Sequence, residues 1–191
     1  MMQKLIYYIK KFSSFTDSEI QTISKHTYIE KYKAKSFIHT AGSICKRIGF
    51  INNGVLRSYL YDTKGNELIH NFHTENQFAV DLLSYQKRIA SNLYLQAITE
   101  CELVFISKSS DEYLTSNIKE WPVLIRNISD AILAEKAENK TILLHADAKE
   151  RYLSFIRKNP RIINVVPLGQ IASYLGITQQ SLSRIRKELI I

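Results

Sequence analysis

Seven polar side chains near the end of the sequence carry the most legible chemistry: Gln179, Gln180, Ser181, Ser183, Arg184, Arg186 and Lys187. Carboxamides, hydroxyls and cations in one short stretch are groups that can be shared among solvent, phosphates and base edges. A second cluster, His70, His73 and Glu75, has the residue types of a metal site. On a regular strand, residues three apart point to opposite faces, so His70 and His73 are not expected to share one ion. His73 and Glu75 could do so, but two ligands are too few for a facial triad. These residues are read as strand-surface and turn positions, with no catalytic residue, metal or cofactor assigned.

The elements that must position the polar group are written around it. Pro167 to Leu175 reads as a short helix, and Gly176 follows where a left-handed residue ends a helix at least cost. Thr178 can cap a second helix from Gln179 to about Leu189. Ile171, Leu175, Ile177, Leu182 and Ile185 are the apolar members, and Ala172 is small where two helices must approach closely. This is the internal core of a helix-turn-helix with a basic outer face, a DNA-reading element. From Ala148 onward eight basic residues (Lys149, Arg151, Arg157, Lys158, Arg161, Arg184, Arg186, Lys187) face Glu150 and Glu188, giving +6 of the chain's formal +8. Beside a helix-turn-helix that excess reads as a phosphate-attracting footprint.

The rest of the 191 residues has the balance of a globular protein, 45% hydrophobic and 23% charged. No apolar run approaches the ~20 residues of a membrane span. The first residues lack the apolar core and cleavage site of a signal peptide, so a cytoplasmic protein is expected. Cys45 and Cys101 are read as core or surface thiols, since two cysteines alone make neither a four-thiolate cluster nor a Cys-rich zinc site.

Residues 1–26 look helical, with Thr16-Asp-Ser-Glu19 a capping box. Strands are expected at 28–33, 36–40, 44–51, 55–61, 67–72, 94–98 and 103–106. Asn53-Gly54 and Asp62 to Asn66 give hairpin signals. Strands at this spacing indicate an antiparallel sandwich or jelly roll. Ser109-Ser-Asp-Glu112 reads as a second capping box opening a helix to about Asn117, and Trp121-Pro122 starts a long helix to about His145. Leu124, Ile125, Ile128, Ala131, Ile132, Ile142 and Leu143 give that helix an apolar stripe, which either packs on its own domain or, the favoured reading, forms a two-helix dimer seam with Asn139 or Glu135 fixing register. Asp147 to Lys158, with Tyr152, Phe155 and Ile156 inward, is the first helix of the DNA domain, ended by Asn159-Pro160.

A β-roll, a long helix and a C-terminal helix-turn-helix together resemble the Crp/Fnr family of bacterial transcription regulators. The likeness is most specific in Ile171-Ala-Ser-Tyr-Leu-Gly-Ile-Thr-Gln-Gln-Ser-Leu-Ser-Arg-Ile-Arg-Lys187 and runs in register through Phe50 to Arg57 and Ala97 to Ser107. The resemblance implies an α+β architecture. Residues 1–117 form an antiparallel, jelly-roll-like sensor domain of the cyclic-nucleotide-binding type, 118–145 a connecting and dimerisation helix, and 146–191 the helix-turn-helix domain. It implies a homodimer on double-stranded DNA, with RNA polymerase as a partner and an unknown small-molecule effector. By the same resemblance Gln179, Gln180 and Arg184 occupy base-contacting positions, while Gln170, Thr178, Ser181 and Lys187 are placed for phosphates. The family's small hairpin after the recognition helix is expected to be missing or reduced.

Members that bind cyclic AMP carry Phe-x-Gly-Glu and, ten residues after that Glu, an Arg followed by Ser or Thr. The Glu accepts from the ribose and the Arg pairs with the phosphate. Here the stretch is Phe78-Ala-Val-Asp81, followed ten residues on by Ser91-Asn92. Val80 stands for the Gly, Asp81 for the Glu and Ser91 for the Arg, with Arg88 three places off, so control by cyclic AMP is not expected. The N-terminal cysteine cluster of the family's oxygen sensors is absent. The competing readings are a module acting through protein partners without DNA readout, and a small β-barrel metalloenzyme.

Overall fold

The structure, a computed structural model, describes residues 2–189, the Glu135 side chain excepted. Two short helices, α1 (Gln3–Ile9) and α2 (Asp17–Lys25), precede the sheets. Thr16 caps α2, accepting from Glu19 N while the Glu19 carboxylate accepts from Thr16 N at 2.8 Å, which is the reciprocal pair its sequence encodes.

Eight strands follow: β1 (Tyr28–Tyr32), β2 (Phe37–His39), β3 (Arg47–Asn53), β4 (Leu56–Tyr61), β5 (Glu67–His73), β6 (Phe78–Ala79), β7 (Tyr94–Ala97) and β8 (Cys101–Ser107). They form two four-stranded antiparallel sheets, ordered β1-β8-β3-β6 and β2-β7-β4-β5. Strands β3 and β8 are apolar on both faces because both are covered. Phe50, Val104 and Ile106 pack on α1 and the later helices, while Ile51, Leu103 and Phe105 fill the inside of the roll. Cys45 and Cys101 are buried free thiols.

Three local expectations are corrected. Asn53-Gly54 does not close a hairpin, because β3 pairs with β8 and β4 with β5 and β7. Gly54, at φ 101°, instead lets the chain change sheets; a Cβ there would lie 2.5 Å from Glu100 O. By contrast, Asp62 to Asn66 does join β4 to β5, with Asp62 Oδ1 accepting from Lys64 N and Asn66 N at 2.8 Å. The second correction concerns α4 (Lys108–Asn117), which is capped by Ser107 rather than Ser109. The acid of the expected box, Glu112, pairs with Arg88 instead, and its neighbour Asp111 turns inward and accepts from Tyr85 Oη and Trp121 Nε1. The third is an omission: β6 and a short helix α3 (Leu82–Lys87), capped by Asp81, occupy a stretch with no periodic signal.

Helix α5 (Trp121–His145) divides its apolar stripe. Trp121, Leu124 and Ile128 are buried with Leu5, Ile9, Phe50 and Leu114. Ile125 and Ile132 pack against the same cluster and Ile142 and Leu143 are half-buried, so the stripe faces the chain's own domain over its first half; the exposed apolar positions, Leu133 (55%), Ala134, Ala137 and Leu144 (67%), lie off it. Asn139 accepts from Lys158 Nζ within the same chain. The last part comprises α6 (Ala148–Lys158), a single 3-10 turn at Ile162–Asn164, α7 (Leu168–Leu175) and α8 (Gln179–Glu188). Tyr152, Phe155, Ile162, Ile171, Ala172, Leu175, Leu182 and Ile185 form its core, and that core continues into Val55, Tyr59, Ile69 and Phe72 of the roll.

Candidate nucleic-acid interface

Helix α7 ends at Gly176, left-handed at φ 65° and ψ 36°, and Ile177 N returns to Ala172 O at 3.0 Å. Thr178 then caps α8, its hydroxyl accepting from Ser181 N at 3.1 Å. Leu182 and Ile185 point into the core and fix the rotation of α8 about its axis. That rotation leaves Gln179, Gln180, Ser181, Arg184 and Lys187 exposed together. Gln179 folds back over the start of α7, where a Cβ on Gly169 would meet its Oε1 at 2.9 Å. This contact sets the direction of a candidate base-reading side chain, and only the lone Gly169 hints at it in sequence. Gln170 is half-buried, with a buried Oε1 that has no hydrogen-bond partner.

The basic excess is partly internal. Lys158 pairs with Glu138 at 3.1 Å, Arg161 pairs with Glu75 at 3.1 Å, and Arg151 donates to Leu143 O. Among the described residues, Lys149, Arg157, Arg184, Arg186 and Lys187 form no ion pair. Among the described residues their charge has no ion-pair partner, which leaves it available to an anionic partner.

The helix-turn-helix rests on β5. Ser173 Oγ accepts from Ile69 N at 3.4 Å, and the Phe72 ring lies 5.6 Å from that of Tyr174 and 5.9 Å from that of Phe155. On its other side β5 borders a cavity of about 500 Å³ between the roll and α5. His70 and His73 both line it, which corrects the expectation that they face opposite ways. The register shifts between Ser58 and Tyr59, whose partners are Asn71 and Ile69, so His70 is an extra residue that resets the alternation. Glu75 lies outside this cavity, paired with Lys4 and Arg161. Burial, then the Lys136 ammonium and His70, push His73 down to about 4. His70 is lowered by burial and Lys136 against a weaker pull from Asp81, and His39 by burial.

Residues 29–115 match the model of the cyclic nucleotide-binding domain. The cAMP-activated global transcriptional regulator CRP of Salmonella typhimurium is 21% identical, over 91% of this chain and 88% of that protein. The c-di-GMP responsive global regulator CLP of Xanthomonas campestris superposes with a TM-score of 0.69 at 16% identity, over 91% of each chain. FixK2 of Bradyrhizobium japonicum superposes with a TM-score of 0.73 at 19% identity, over 85% of this chain and 84% of that one. The chain as a whole shares the fold of these two solved regulators.

At the positions compared above with the nucleotide cassette, the residues here are engaged with one another. Ser91 Oγ donates to Asp81 Oδ2 at 2.6 Å, and Asp81 Oδ1 accepts from Ser84 N at 3.2 Å as the cap of α3. Ser91 is 3% exposed. Val80 and Asp81 border the cavity, whereas Ser91, Asn92 and Arg88 do not. Asn92 is exposed. Arg88 is left-handed at φ 56° and pairs with Glu112 at 2.7 Å on the surface. The carboxylate and the hydroxyl at the two key cassette positions thus satisfy each other.

Proposed function

We propose that this chain is a sequence-specific DNA-binding transcription regulator that works as a homodimer and is not controlled by cyclic AMP. The observation that carries the reading is α8, a capped helix on a buried Leu182–Ile185 ridge that exposes two carboxamides, a guanidinium and an ammonium. Gln179, Gln180 and Arg184 read base edges; Gln170, Thr178, Ser181 and Lys187, with the α8 N-terminus, hold phosphates. The exposed face of α5 through Leu133, Ala137 and Leu144 supports a seam with a second copy, which would present two α8 helices to successive major-groove faces. The protein acts by binding rather than catalysis, in the cytoplasm, with RNA polymerase as the downstream partner. Selection of bound DNA from a random pool tests this. Enrichment of a near-palindrome with half-sites ~10 bp apart is expected, and a pool that stays unenriched refutes base reading.

A further inference from the structure

The β-roll cavity has lost its nucleotide chemistry but is not closed. Its inner wall is apolar, with Ile38, Leu93, Leu95 and Phe105, and its volume of about 500 Å³ suits a small organic molecule. Arg47 is already committed to Glu30, the Tyr32 hydroxyl and the Phe105 ring face. Asp81 is committed to Ser91 and to the backbone of Ser84. Two lysines at the cavity, Lys46 and Lys136, have no ion pair among the described residues. Lys136 stands where this cavity meets a second, apolar cleft of about 280 Å³, a junction it shares with His73 and Gln86. His39, which also lines the larger cavity, has a buried Nε2 with no hydrogen-bond partner.

We propose that this cavity binds a small amphipathic organic acid, with its carboxylate on Lys136 beside His70 and His73 and its apolar body among Ile38, Leu93, Leu95 and Phe105. The inference rests on the reading of the cavity as closed to cyclic nucleotides, and not on DNA binding. Of the two lysines, Lys136 is the one beside the His70 and His73 imidazoles, and its single ammonium suits a single carboxylate. A phosphate ester would need the bidentate cation that Ser91 replaces. A neutral ligand of the same length would gain nothing from the exposed Lys136 ammonium, which water already solvates. An apolar body displaces water from the aliphatic and aromatic wall, which supplies affinity without demanding further polar partners.

The test uses the full chain, with the anionic fluorophore anilinonaphthalene sulfonate as reporter and octanoate and octanol as competitors of matched length. Octanoate should displace the reporter at a roughly two- to fivefold lower concentration than octanol, the scale of one exposed charge pair. Lys136→Gln should remove most of that preference, while Lys140→Gln, an exposed lysine one turn further along α5 and outside the cavity, should keep it. Equal displacement by octanol, or a preference that survives Lys136→Gln, overturns the proposal. Displacement by micromolar cyclic AMP would instead overturn the reading beneath it.

Discussion

Arg184 and Lys187 share the exposed face of α8 but should fail in different ways when truncated. A guanidinium on a base edge discriminates, whereas an ammonium near a phosphate attracts every sequence alike. Arg184→Ala is therefore expected to cost roughly 1–3 kcal/mol on the selected operator and to relax preference at one base position. Lys187→Ala should weaken operator and random DNA together and lower the salt slope by about one. Titration of both variants against both DNAs at several salt concentrations separates these outcomes, and equal weakening of both DNAs by Arg184→Ala would reject its base-reading role. His73 supplies a second test at this scale. Held near 4 against an ordinary 6.5, it stays neutral when folded and takes a proton when unfolded. The unfolded state thus binds more protons below about pH 6.5, and stability falls as pH drops from there toward 4. On the order of 2 kcal/mol should be lost by pH 4.5 through this group. Urea melts at pH 7.5 and 4.5 should show a smaller difference for His73→Gln than for the parent. None of this was legible from the spacing of His70 and His73, since the bulge at His70 depends on pairing with β4, which local sequence does not encode.

Helices were more legible than sheets for the same reason. The caps at Thr16, Asp147 and Thr178 act within three residues, and each is found where its sequence pattern puts it. Ser107 took over from Ser109 because the last residue of β8 was already extended and could cap α4 directly. Asn53-Gly54 carries a true turn signal, yet whether the next strand folds back or crosses to the other sheet depends on partners about 50 residues away. The stripe on α5 shows the limit most clearly, since periodicity defines an apolar face without saying what covers it. Its first half is covered by the chain's own roll, Ile142 and Leu143 further on are half-buried, and the open apolar positions, Leu133, Ala137 and Leu144, lie on another face of the helix. Leu144→Glu tests what covers that open face. At 67% exposure the substitution should change the stability of the isolated chain by no more than about 0.5 kcal/mol. In a dimer it would set two carboxylates into the seam. Sedimentation should show the parent as a dimer and the variant shifted to monomer at equal concentration; a variant that remains fully dimeric would move the seam elsewhere.

At the scale of the whole molecule, β5 joins the cavity to the helix-turn-helix. Ile69 and Phe72 lie under the helix-turn-helix, while His70 and His73 border the cavity. A molecule in the cavity therefore contacts the strand on which the reading head rests, and that molecule should not be cyclic AMP. Val80 puts a branched side chain where the family's glycine lets a ligand approach. Asp81 is a methylene shorter than Glu and already accepts from Ser91 and Ser84. Ser91 is a buried neutral hydroxyl in place of a bidentate cation. Exchanging the charge-assisted pair for a neutral bond would forfeit on the order of 1–3 kcal/mol even with good geometry. Binding would also have to break the Ser91–Asp81 bond. Calorimetry with cyclic AMP and cyclic GMP should show no micromolar binding, and the selected operator should be bound in their absence. Ser91→Arg alone should not restore affinity, because it removes the partner of Asp81, places a long cation in a site only 3% exposed and leaves Val80 in the way. Micromolar affinity in the parent chain, coupled to tighter operator binding, would mean that the roll rearranges to open the Asp81–Ser91 contact when nucleotide arrives.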